Sequence, residues 1–352
     1  MPIHWLQNTL KARPITRRLY CALRDWKFKV SDSLKLKKLE RQFRGHELLV
    51  VKSRDCGFFS NFFQAVGGIH LARKNNQRVV FQFDNGPYLD PERPEESWWS
   101  YYFQPSNPST WITNLDSSSE QSVYIVDEKE DLNQMSRMGA RFERHAAHQI
   151  LSEFVLQKAV ADAVQAFKET HLRNHFTIGL HYRGTDKVED GLEANRVGYS
   201  MIDETLNAIS AQDIPFRLFV ATDEDPLIHH LDGRETFELV YTNSLRSSSN
   251  EPVHLSANRR SKYQLGFDAL LDALLLSQCD FLLRTESNLS KSCRFFNPTQ
   301  ENINLSTEFA YSTPDWTKPK TPNIKRILGK VVSAYQRKQA LSKEGVAGSD
   351  ST

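Results

Sequence analysis

The densest run of hydrogen-bonding side chains in this 352-residue sequence is His181-Tyr182-Arg183-Gly184-Thr185-Asp186-Lys187. The apolar residues that lead into it, 176–182, predict a buried strand. That strand ends in groups that bind polar ligands, at the carboxyl edge where open α/β sheets receive them. Arg183 carries a fixed charge and two parallel N–H donors, a geometry that suits a phosphate. The same residues also suit an Arg–Asp pair that only ties down a turn, and the spacing leaves both readings open.

A second chemistry-bearing stretch is 268–290. Asp268 and Asp272 stand four residues apart, on one face of a mostly apolar segment with helical spacing. A carboxylate there can accept from the N1–H and N2–H₂ donors of guanine, or it can face solvent. The strand expected at 281–283 runs into Thr285, Ser287 and Asn288, where another helix begins. Free N–H groups at a helix start bind anions, and Ser287 or Asn288 is also an ordinary N-cap. The two roles use one geometry. Asp223-Glu224-Asp225 matches the Asp-x-Asp pattern that holds divalent cations through oxygen ligands, but Pro226 behind it favours a capped helix start. Trp98-Trp99-Ser100-Tyr101-Tyr102-Phe103 reads either as a platform for sugar C–H edges or as a small core under a long loop. No P-loop pattern occurs, which argues against a kinase.

These residues need a scaffold, and the rest of the sequence outlines one. Leu48–Val51 reads as a strand, followed by the turn Cys56-Gly57-Phe58-Phe59-Ser60-Asn61, a helix from about 62 to 74, and a strand over 79–83. Residues 84–122, rich in Pro, Ser, Asn and aromatics, read as long surface loops, and 123–126 as a strand. Residues 141–172 read as one long helix or a bent pair. In the second half, strands at 176–182, 216–221, 238–241, 281–283 and 302–305 alternate with helices near 198–211, 226–232, 260–278 and 289–296. That alternation predicts parallel sheets covered on both faces. The expected architecture is α/β, with two wound domains facing a cleft. The domains are a basic extension over 1–46, an N-terminal domain over 47–172, a C-terminal domain over 173–320, and a basic helical tail with a disordered end over 321–352.

Bulk properties narrow the function classes. A length of 352 residues allows two cores, and a net charge of +2 argues against a dedicated nucleic-acid binder. No apolar run approaches the roughly 20 residues of a membrane span. Lys11, Arg13, Arg17 and Arg18 interrupt any signal-peptide core. Cys21, Cys56, Cys279 and Cys293 show no metal or disulfide spacing, so free thiols and a cytoplasmic location are expected. Residues 1–47 hold twelve Lys and Arg against four Asp and Glu, interleaved with Trp5, Leu10, Leu19, Trp26 and Phe28. They read either as an arm touching the anionic inner face of a membrane or as a solvated helical extension.

With these residues in place, His181-x-Arg183-x-Thr185-Asp186-Lys187 resembles the first motif of the α1,6-fucosyltransferases, the group that includes the core and nodulation-factor fucosyltransferases. Leu276–Leu282 followed by Thr285–Arg294 resembles their third motif. Cys56–Asn61 resembles their glycine turn, and Ala221-Thr222-Asp223 the strand end between the motifs. The likeness covers about residues 48–310. It implies a GT-B fold, GDP-fucose as the donor substrate, a glycan acceptor, inversion at the anomeric carbon, and no metal or other cofactor. By matching positions it implies that His181 and Arg183 hold the diphosphate and that Asp272 reads guanine. It also implies that Ser287, Asn288 and Asn61 line the nucleotide-sugar site, and that Lys187 orients a carboxylate base, Glu193, with Glu189 and Asp190 as rivals. Gly184 departs from the core enzymes, which have a second Arg there. Two other functions remain compatible with the sequence: a related transferase using another nucleotide sugar, and a non-catalytic glycan- or nucleotide-sugar-binding module.

Overall fold

Leu48–Lys52 forms β1 and Arg78–Gln82 forms β2, joined by helix α1, Phe58–Lys74. A computed structural model describes residues 37, 41–114, 121–184, 197–248, 261–308 and 323–347 of the chain. Short strands β3 (Phe103–Pro105) and β4 (Trp111–Ile112) follow, then β5 (Val123–Val126). The first sheet has the order β4-β2-β1-β5 with every pair parallel. Four successive apolar residues in β1 fit it for burial on both faces. Helix α1 begins at Phe58, several residues before the expected start, which carries Phe58 and Phe59 into the core beside Phe62 and Phe63.

Two expectations fail in this half. Residues 84–114 are not simply surface loop: Trp98, Trp99 and Trp111 are fully buried, packed with Phe81, Phe83, Phe103 and Phe154. Aromatic side chains bury about 150–250 Å² each, which outweighs the loop-like composition around them. The aromatic run is therefore core, not a sugar platform. Residues 141–172 are neither one helix nor a bent pair. Helices α2 (Lys129–Ala140) and α3 (Arg144–Leu151) lead into β6 (Phe154–Leu156), which pairs antiparallel with β3. Helix α4 (Lys158–Phe167) comes next and ends in a single π-helical turn, Lys168–Leu172.

The second half follows its sequence pattern closely. Strand β7 (Thr177–Tyr182), helix α5 (Tyr199–Ser210), β8 (Arg217–Thr222), α6 (Asp225–Leu231) and β9 (Glu238–Val240) are followed by α7 (Lys262–Gln278) and β10 (Phe281–Arg284). Helix α8 (Asn288–Phe296), β11 (Glu301–Asn304), the short α9 (Leu305–Glu308) and the long α10 (Ile324–Ala347) complete it. The sheet order is β11-β10-β7-β8-β9, all parallel. The chain winds outward from β7 through β8 to β9, then returns to the other side of β7 with β10. The switch point, where such sheets bind ligands, therefore lies at β7.

One face of this sheet packs on α5, α6 and α10 through Ile202, Leu206, Leu227, Ile327 and Val331. The other packs on α7, and that layer is continuous with the core of the first sheet. Phe62 meets Phe296, Phe63 meets Phe295, and the ring of Tyr102 stacks on Tyr263 at 5.6 Å. The two sheets thus share one apolar core. Among the described residues no helix is long and apolar enough to cross a membrane, and Cys56, Cys279 and Cys293 are free thiols.

Candidate functional site

A cavity of about 400 Å³ opens where the turn before α1 faces the carboxyl ends of β7, β8 and β10. His181 and Arg183 enter it from β7, Thr222 and Asp223 from β8, and Ser287 and Asn288 from the start of α8. Arg183 is braced: its Nε lies 3.4 Å from Asp223 Oδ2, its backbone N–H donates to Thr285 Oγ1, and Gly184 N–H donates to Asp223 Oδ1. The Arg–Asp pair and a place on the cavity wall therefore coexist, and the two readings of Arg183 merge. Asp223 serves that brace. Glu224 stands at the N-cap position of α6 and accepts from Tyr199 Oη at 2.6 Å, without a side-chain cap bond of its own. A Cβ on Gly184 would fall 1.8 Å from Glu224 Oε1, so glycine leaves room for that side chain.

His181 is buried, and burial first, then the charges of Arg183 and Arg284, pushes its pKa down to about 3. It is neutral at physiological pH and acts only through hydrogen bonds. Its Nε2 lies 3.3 Å from Ser287 Oγ, while Nδ1 has no hydrogen-bond partner among the described residues. Ser287 caps α8 in a reciprocal box with Ser290, which leaves the helix start directed at the cavity. Positive partial charge at that helix start and the Arg183 guanidinium converge on one region, a combination suited to a diphosphate.

The wall supplied by α7 is different. Asp268 and Asp272 both reach it from α7 and both are buried, so the solvent-facing reading of Asp272 fails. Burial raises the Asp272 pKa to about 6, with Asp268 adding to the effect and Thr242, Arg246 and Ser244 opposing it. Thr242 Oγ1 donates to Asp272 Oδ1 at 2.6 Å. An ionised carboxylate has about four acceptor positions, so this bond leaves capacity for a ligand. Leu245, Leu265, Ala269 and Leu289 give the cavity its apolar wall.

The near wall is the turn Cys56–Ser60 with Tyr88. Phe58 N–H, at the start of α1, donates to Tyr88 Oη at 2.7 Å. Asn288 Nδ2 donates to Ser60 Oγ at 2.9 Å and so links the two helix starts across the cavity. Burial pushes the Cys56 thiol up, away from thiolate character. Asn61 does not line the cavity. It is fully buried, its Oδ1 accepting from Arg54 N–H and its Nδ2 donating to Arg54 O. It shapes the turn that Ser60 presents.

The structure thus gathers His181, Arg183, Asp272, Ser287 and Asn288 around one space, while Lys187, Glu189, Asp190 and Glu193 lie outside the described residues. Sequence reasoning missed Tyr88, Thr242 and Ser244. The last two follow β9 as small hydroxyl residues at a strand's carboxyl end, the same signal that marked Ser287. No protein-family model and no curated protein sequence matches the chain. The chain is similar to several solved structures. The NodZ α-1,6-fucosyltransferase soaked with GDP-fucose superposes with a TM-score of 0.51 at 15% identity, over 74% of this chain and 96% of that one. Fucosyltransferase NodZ from Bradyrhizobium gives 0.49 at 14%, over 75% and 97%. POFUT1 in complex with GDP-fucose gives 0.44 at 10%, over 74% and 96%. The chain has the GT-B fold, two wound α/β sheets with a cavity between them.

Proposed function

We propose that the chain is an inverting, metal-independent glycosyltransferase that transfers fucose from GDP-fucose to a glycan hydroxyl, in the α1,6 mode. The observation that carries this reading is the polarity of one cavity. A buried carboxylate, bonded to Thr242 after β9, and an arginine after β7 with the start of α8 line the same space. That arrangement matches a purine base with two donors joined to a diphosphate. GDP-fucose in the similarly folded NodZ structure supports the choice of nucleotide and sugar.

The chemistry follows from charge. Cleavage of the sugar–phosphate bond builds negative charge on the departing GDP. Arg183 and the amides opening α8 oppose it, a type of stabilisation that contributes about 3–4 kcal/mol for a single donor. His181, held neutral, donates a hydrogen bond to a phosphate oxygen without adding charge. Glu193, oriented by Lys187, removes the acceptor proton from the opposite side in a single displacement, so the anomeric centre inverts. General base catalysis of this kind contributes roughly 10²–10⁴-fold.

Turnover of GDP-fucose, read as released GDP with and without a panel of glycans, tests the proposal. Wild-type protein is expected to consume GDP-fucose in excess EDTA. Arg183→Lys, which keeps charge but loses the two-pronged geometry, is expected to be slower by about 10²-fold. Glu193→Gln is expected to stop transfer to glycan while leaving slow donor hydrolysis. Equal rates with UDP-sugars, or activity restored only by Mn²⁺, would contradict it.

A further inference from the structure

The geometry points to Thr242 as a positioning residue that fixes the Asp272 carboxylate for the base and thereby sets nucleotide selectivity. The inference deepens the proposed function and rests on its assignment of Asp272 to guanine. Thr242 does not line the cavity of Asp272 and Arg183; it stands behind Asp272, buried, after the end of β9. Its hydroxyl lies 2.6 Å from Asp272 Oδ1 and 2.7 Å from Ser244 Oγ. A hydroxyl has one proton to give. With that proton directed at Asp272, Thr242 can only accept from Ser244, whose own hydroxyl also favours the ionised carboxylate.

The backbone that carries these hydroxyls is itself clamped. Arg246 donates from its two terminal nitrogens to the carbonyls of Thr242, at 2.7 Å, and Ser244, at 3.2 Å. Its guanidinium lies 5.0 Å from the centre of the Tyr241 ring. One oxygen of Asp272 is thereby held against Thr242 before any ligand arrives. Preorganisation of this kind improves binding by removing an ordering cost. Without it, a carboxylate beside Asp268 in an apolar wall would bind a proton more readily and turn from acceptor to donor. Among the described residues, the charged and titratable groups facing Asp272 are Asp268 on its own helix, Arg246 on the segment after β9, and Cys293 on α8.

The test is nucleotide affinity by titration calorimetry, for GDP and UDP in parallel, from pH 5 to 8. Because the two diphosphates titrate alike, their ratio isolates the base. Thr242→Val removes the hydroxyl and keeps the shape. It is expected to weaken GDP about ten- to a hundredfold, the range for hydrogen bonds to charged groups, and to leave UDP unchanged. The pH below which the GDP preference fades is expected to rise above that of wild type. Thr242→Ser is expected to restore both. Should Thr242→Val fail to fold, Thr242→Cys, with only a weak donor, gives the same comparison. A Thr242→Val protein with wild-type GDP preference and pH profile would overturn the inference. Asp272→Asn separates the two levels. If it abolishes the preference while Thr242→Val does not, only the role of Thr242 falls. If Asp272→Asn also keeps the preference, the guanine reading falls with it.

Discussion

Asp272 carries two opposed demands. To accept from guanine, as proposed, it must be ionised, yet it lies in an apolar wall that disfavours its charge. Its pKa rises from 3.8 to about 6 on burial. The sign of the consequence is fixed by that direction. Below pH 3.8 the group is protonated in both folded and unfolded chains and has no effect. As pH rises from 3.8 to 6 the unfolded chain ionises first, and the fold loses stability, reaching a penalty of about 3 kcal/mol above pH 6. Asp272→Asn removes this titration and still accepts from Thr242. Its melting temperature without ligand is therefore expected to exceed wild type at pH 7.5 and to match it near pH 4, while its extra response to GDP over UDP disappears. A melting point below wild type at pH 7.5 would show that the carboxylate is not under strain. A carboxylate buried against the cost of its charge, in the wall of a cavity, is a candidate for function.

At the scale of elements, helix–helix contact sets the frame for the turn Cys56–Ser60. Helix α1 crosses α2 with almost no side chain between them. A Cβ on Gly139 would lie 1.9 Å from the Phe63 carbonyl oxygen, and one on Gly67 would lie 2.4 Å from that of Met135. Both obstacles are backbone, so the helices themselves must separate. Gly139→Ala is expected to reduce stability by about 1–3 kcal/mol, the usual range for overpacking, measured by urea unfolding. No loss would mean that the crossing is looser than the geometry here. This crossing was not legible in the sequence, because the contact is made by absent side chains. The second sheet was legible, because apolar strands of four to six residues alternate there with amphipathic helices. The first half was harder. Trp98, Trp99 and Trp111 sit among Pro, Ser and Asn that signal loops locally, and only tertiary packing buries them. Strand β6 is three residues long and interrupts a helical pattern too briefly for periodicity to register. At the site, Arg183, Asp272 and Ser287 announced themselves by position at strand ends and on a helix face. Asn61 misled, because a buried amide that closes its own turn has the same sequence signature as one that meets a ligand.

At the scale of the whole molecule, the continuous core joins the two sheets and leaves polar groups from both around a single cavity. The near wall comes from the start of α1, the far wall from β7, β8, α7 and α8, and the Asn288–Ser60 bond closes the distance between them. Under the proposed function a nucleotide in this space meets Asp272 with its base and Arg183 with its phosphates, so nucleotide identity is the property on which the account depends. The direct measurement is the shift in melting temperature of the full chain with GDP, UDP, CDP and ADP at equal concentration and pH 7.5. The four share a diphosphate, so any common shift reports the Arg183 end, and the excess for one base reports the Asp272 end. A stabilisation by GDP larger than that by the other three, absent in Asp272→Asn, is the predicted result. Equal stabilisation by UDP, or none by GDP, would contradict it.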